Sequence, residues 1–207
     1  MEETNREALP LGPFYRDQRF MHMLRITAVA FAVLLVLAFV VGLLVPSIPA
    51  ELAQQFRRTM DEADVMNGDG SFNAVAIFLH NLEAMAWAVV YGLIPFLHLP
   101  ALLLGVNAVL LGAMAAQYIN SGMSLLLYLV GVIPHGIFEI PAIILALTCG
   151  LYLCSYLTGR IIRRSSTPRQ PVFRRIAQVY CLVIAPLLVL AALVEAYVTP
   201  LILNSLL

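Results

Sequence analysis

Residues 123–158 read MSLLLYLVGVIPHGIFEIPAIILALTCGLYLCSYLT. The stretch contains no basic residue, and Glu139 is its only acid. As one helix it would run roughly 54 Å at 1.5 Å per residue, against a hydrocarbon core of roughly 30 Å. Gly131, Pro134 and Gly136 stand together near its first third. A proline inside a helix removes one backbone hydrogen bond and crowds the preceding turn. This spacing predicts a break: a short re-entrant or interfacial half-helix over 123–133, then a full span over 136–157. Irregular backbone at such depth is allowed only where protein covers it or it lines a cavity.

The rest of the chain reads the same way. Of 207 residues, 61% are hydrophobic and only 12% charged. Soluble domains carry roughly 25% charged residues. Apolar runs over about 26–45, 72–94, 101–118 and 176–203 are each long enough to cross a bilayer. Pro46 and Pro49 end the first, Pro95 and Pro100 separate the second from the third, and Pro186 predicts a kink in the last. The expected fold is therefore all-α: a polytopic transmembrane helix bundle with five spans plus one half-helix, folded as a single integral membrane domain over 1–207. Between the first two spans, Leu52, Phe56 and Met60 recur at helical spacing, which predicts an amphipathic helix over 50–66.

Net charge is zero, so no general attraction to nucleic acid is implied, and no nucleic-acid-binding motif is present. All twelve basic residues are arginines. Arg6, Arg16, Arg19 and Arg25 precede or open the first span; Arg160, Arg163, Arg164, Arg169, Arg174 and Arg175 precede the last. The excess of arginine places the N-terminus and the 160–175 loop in the cytoplasm and the C-terminus outside. Arg160, Arg163, Arg164, Arg174 and Arg175 are also candidates for contact with anionic lipid or a partner. Cys149, Cys154 and Cys181 show no metal or redox spacing and read as small apolar residues.

Ionisable residues inside apolar spans are costly and therefore informative. His135 and Glu139 are four apart, and His80 and Glu83 three apart, so each pair can share a helix face. His80, Glu83, His135 and Glu139 together would suit a divalent transition metal such as zinc. The other reading of the same residues is structural: neutralised, hydrogen-bonded couples that hold spans together. Asn81 and Asn107 are expected to bond between helices, and Gly105, Ala108 and Gly112 to form a close-packing face. His98, between prolines, is expected at the interface. Glu195 stands near the end of the last span and is expected to reach toward water. No nucleophile elbow, zinc-protease or phosphate-loop motif is present.

Asn81, Gly92, Asn107, Gly112 and above all Pro134-His135-Gly136-Ile137-Phe138-Glu139-Ile140-Pro141-Ala142 resemble the stage II sporulation protein M family. The resemblance covers roughly 70–160, and more loosely the whole chain. It implies a multi-span membrane protein without established enzymatic activity. The residues themselves are read as a polar centre built on His135, Gly136 and Glu139, with His80, Glu83, Asn81 and Asn107 as its further members and Gly136 allowing the backbone to turn. In endospore formers the sporulation member works in engulfment, beside membrane-anchored peptidoglycan-remodelling proteins. The resemblance thus implies cell-wall-remodelling proteins as partners, while the apolar spans imply membrane lipids and the small-residue helix faces a second copy in a homodimer. His80 departs from an expected Asn-Asn pair. Family members also occur in organisms that do not sporulate, so sporulation itself is not implied.

Overall fold

The computed structural model describes residues 17–62, 72–163 and 172–205. Helix α1 spans Gln18–Leu44, α2 Ser47–Glu62, α3 Ala74–Val90, α4 Leu99–Asn120 and α5 Leu125–Arg163. The last membrane segment is a helical run of α6 (Val172–Val179), α7 (Ala185–Leu193) and α8 (Thr199–Asn204), joined by π-helical turns at Tyr180–Ile184 and Val194–Val198. No strand occurs among the described residues, and five segments are long and apolar enough to cross a membrane. Their outward faces carry large apolar side chains, including Val33, Leu79, Leu102, Ile137 and Leu201. That is the pattern of helices immersed in lipid rather than water.

The first span begins earlier than its apolar run because Asp17 caps it. Its Oδ1 accepts the N–H groups of Arg19 at 2.9 Å and Phe20 at 3.3 Å, satisfying donors that a helix start leaves open. Asn73 caps α3 in the same manner, accepting from Val75 and Ala76 at 3.1 Å. After α3 the chain makes a 3-10 turn over Tyr91–Leu93 and a tight connection in which Phe96 and His98 both adopt positive φ, 71° and 46°. The Phe96 N–H donates to Thr158 Oγ1 at 2.9 Å, which ties this connection to α5. His98 is exposed there, as its flanking prolines suggested.

Helix α5 corrects the expected break. It is continuous for 39 residues, with Pro134 and Pro141 inside it, so the stretch 123–133 supplies its first turns rather than a separate half-helix. Length did not force a break because a helix need not end where the hydrocarbon ends. The Arg160–Arg163 end is polar enough to continue beyond it. Spans tolerate internal proline where neighbouring helices support the freed backbone groups. The centre of α5 is the core of the bundle: Ala142, Ala146, Leu147 and Cys149 have no exposed surface. Cys154 is also buried, whereas Cys181 is exposed on the last span.

Each π turn in the last span is followed by a proline at the start of the next α segment, Pro186 in α7 and Pro200 in α8. A π turn shifts the hydrogen-bond register by one residue. The missing proline N–H then falls at a segment start, where no partner is required. The amphipathic helix α2 begins three residues earlier than expected, at Ser47. Within it Ala53 is buried, Leu52 half-buried and Phe56 exposed. Residues 63–71, which include the expected end of this helix at 66, lie outside the described residues.

Small residues set the closest helix crossings. A Cβ on Gly112 would collide with Leu35 O and would meet Phe39 N at 2.9 Å, so α4 and α1 touch backbone to backbone. A Cβ on Gly42 would lie 2.7 Å from Ala116 Cβ along the same crossing. A second crossing joins α5 to the end of α3 and the turn after it, where a Cβ on Gly92 would collide with Gly150 O and one on Gly150 with Ala88 O. Ala108 is fully buried on the expected face of α4. Gly105 is not in contact, since a Cβ there would meet nothing within 4 Å.

Candidate functional site

His135 and Glu139 share one face of α5, as their spacing requires. His135 Nε2 and Glu139 Oε2 are 3.8 Å apart, and the side chains retain 14% and 24% of their surface. The separation exceeds a hydrogen bond. The third member is Glu195, from the π turn of the last span. Ligand atoms of His135, Glu139 and Glu195 all lie within 4.8 Å of one another. The Nδ1 atom of His135 is buried and makes no hydrogen bond.

Depth explains the meeting. His135 lies about 15 Å from the start of α5, and Glu195 about 14 Å from the end of the last span, at 1.5 Å per residue. In two spans that run in opposite directions these positions fall at one level. That matching of distances was the available signal for Glu195. It was missed because closeness to a helix end was read as access to water.

His80 and Glu83 join no such three-residue group among the described residues. Glu83 is exposed on α3 and accepts a hydrogen bond from Trp87 Nε1 at 3.3 Å, within its own helix. His80 and Asn81 are half-buried on α3. Asn107 also stays within its helix, its amide donating to Leu103 O at 2.9 Å, so it does not bond between spans. Gly136 is buried inside α5, where a Cβ would meet only the side chains of Ile140 and Val132, at 3.5 Å or more. It makes neither a turn nor a close helix crossing.

Polar side chains other than the expected ones link the spans. Tyr128 of α5 donates to Leu111 O of α4 at 2.8 Å, and Asn120 of α4 donates to Gly42 O of α1 at 2.9 Å. Tyr180 of the last span donates to Leu82 O of α3. Tyr152 of α5 donates to Asp17 Oδ2 at 2.6 Å, with Phe20 packed edge-on against its ring at 5.6 Å. Partial burial works against the Asp17 carboxylate. The bonds from Tyr152 and from the Arg19 and Phe20 N–H groups, with the Arg19 charge, outweigh it and hold Asp17 below its ordinary value of 3.8.

The arginines gather by a different logic. Arg160 lies over the Tyr156 ring at 5.9 Å and donates to its hydroxyl at 3.3 Å. Arg174 is exposed and Arg175 half-buried at the start of α6. Arg175 and Arg19 both act electrostatically on Tyr152, which puts the start of the first span and the start of the last at one end of the bundle. Arg164, Arg169 and the N-terminal Arg6 and Arg16 lie outside the described residues, as does the side chain of Arg163.

A family model, stage II sporulation protein M, matches residues 27–200. The chain belongs to the stage II sporulation protein M family. The match takes in three membrane-length segments whole and most of the first and the last, and with them both the His135–Glu139 pair and Glu195. No curated protein matches the chain, and no solved structure does. Membership in the stage II sporulation protein M family therefore accounts for the bundle as a whole, while the cluster of His135, Glu139 and Glu195 rests on this chain's own geometry.

Proposed function

We propose that this member of the stage II sporulation protein M family is a non-enzymatic scaffold of the cell membrane, supporting assemblies that remodel the envelope or its peptidoglycan. The observation that carries the reading is where the polar side chains are used. Tyr128, Asn120, Tyr180 and Tyr152 each bond to a different span or its cap. Groups that are costly to place in lipid are thus engaged in holding helices to one another. Together with the glycine crossings at Gly112 and Gly150, they favour a stiff framework over a channel or a mobile carrier.

The partners that fit this role are membrane lipids, membrane-anchored cell-wall-remodelling proteins and a second copy of the chain. The arginine-bearing end is the cytoplasmic side in this reading, with the C-terminus outside. Arg160, Arg174 and Arg175, with Arg163 and Arg164, contact anionic headgroups there. The test is made in the host: the gene is removed, new peptidoglycan is labelled with a fluorescent D-amino acid, and membrane-anchored wall hydrolases are tracked. Mislocalised hydrolases and altered labelling are expected, with rescue by the wild-type gene. Unchanged labelling and hydrolase position in the deletion strain would refute the scaffold role.

A further inference from the structure

We propose that His135, Glu139 and Glu195 bind one divalent transition-metal cation between α5 and the last span. The inference stands apart from the scaffold role, and its test reads a different quantity. Three observations carry it. The first is the donor set itself. One imidazole and two carboxylates from two spans bring ligand atoms within 4.8 Å of one another. Tetrahedral zinc with ligands at 2.0–2.1 Å holds neighbouring ligand atoms about 3.3 Å apart. The 3.8 Å between His135 Nε2 and Glu139 Oε2 is too long for a direct hydrogen bond and about half an ångström from that spacing.

The second observation is charge. No Lys or Arg occurs from residue 59 to 159 or from 176 to 207. The arginines of these two spans, Arg160 and Arg163 on α5 and Arg174 and Arg175 on the last, stand roughly 30 Å along the helices from the cluster, too far to neutralise two neighbouring carboxylates in an apolar setting. A divalent cation does so, with imidazole as a ligand suited to transition metals rather than to calcium or magnesium. The third is local structure. The buried Nδ1 of His135 has no hydrogen-bond partner and Nε2 stands 3.8 Å from Glu139 Oε2, so neither ring nitrogen is held by a hydrogen bond and either is available as a ligand. Glu195 sits in a π-helical turn, a feature that re-aims side chains and is frequent at functional sites. Three protein ligands leave a fourth position for water or another ligand.

The experiment uses the full chain, purified in detergent with its affinity tag removed, incubated with zinc sulfate and passed over a desalting column. Metal per chain is measured by mass spectrometry. About one zinc per chain is expected, and Glu195→Gln and His135→Asn should each bind more than about tenfold more weakly, since even supporting residues around metal ligands have effects of that size. The double change His80→Asn with Glu83→Gln should keep the zinc. Retention of zinc by Glu195→Gln at the wild-type level overturns the proposal, as does a monodisperse wild-type chain that retains none. Should the variants not fold, the wild-type protein loaded with cobalt decides the matter. The visible absorption of low-coordinate cobalt with nitrogen and oxygen ligands is expected, and a spectrum of hydrated cobalt alone overturns the site.

Discussion

Replacing Gly112 with alanine tests the crossing of α1 and α4. The new methyl group would overlap Leu35 O and lie 2.9 Å from Phe39 N and 3.1 Å from Ala38 Cβ. Two of these are backbone atoms of a long helix, so no rotamer change relieves them and the helices must separate. Overpacking of this kind costs about 1–3 kcal/mol. The better helix propensity of alanine returns up to about 1 kcal/mol. A net loss of about 1–2 kcal/mol corresponds to a fall of about 2–8 °C in a chain of this size. The internal control is Gly105→Ala on the same helix, where the methyl meets nothing within 4 Å. It should leave the melting temperature unchanged or raise it by up to about 4 °C. The assay is thermal unfolding in detergent, followed by fluorescence-detected size exclusion of the surviving species. A Gly112→Ala variant as stable as wild type, or a Gly105→Ala variant equally weakened, would refute the assigned crossing.

Glu139→Ala removes one ligand of the proposed cation site on α5, and zinc binding should weaken by more than about tenfold. Glu83→Ala, at an exposed site bonded only within its helix, should leave size-exclusion profile and melting temperature unchanged. Asn120→Ala deletes the bond to Gly42 O, and a loss of about 0.6–2 kcal/mol in the same unfolding assay is expected. Asp17 adds a pH dependence. Its folded-state value is lowered, so its contribution is fully present above the unfolded value of 3.8 and is lost as pH falls through the lower folded value. In Tyr152→Phe the favourable bond is gone. With the folded value brought closer to the unfolded one, the acid loss should be smaller than in wild type, as read from melting temperatures taken from neutral pH down to about pH 3. Coincident acid profiles for the two proteins would show that the Tyr152 bond does not hold Asp17 down.

Apolar length alone located all five spans, because partition into hydrocarbon is a sum over neighbouring residues and can be counted along the chain. The pairing of His135 with Glu139 was equally local, a matter of helical spacing. The motif around them is specific enough to indicate the family from the sequence. What a single residue does depends instead on the helices packed around it. Pro134 looked like a break, yet α5 runs through it, since the cost of a missing hydrogen bond is settled by the helices packed around it. Gly105 and Gly112 look alike in sequence, and only the point where α1 crosses α4 decides that one is a contact and the other is open space. Glu195 joined His135 and Glu139 because two antiparallel spans bring equal depths together across about sixty positions of chain, a coincidence that no local pattern encodes. Transfer energy is written residue by residue and so could be read from the sequence. Which side chains meet is written in crossing points and depths, and those exist only once the helices have packed.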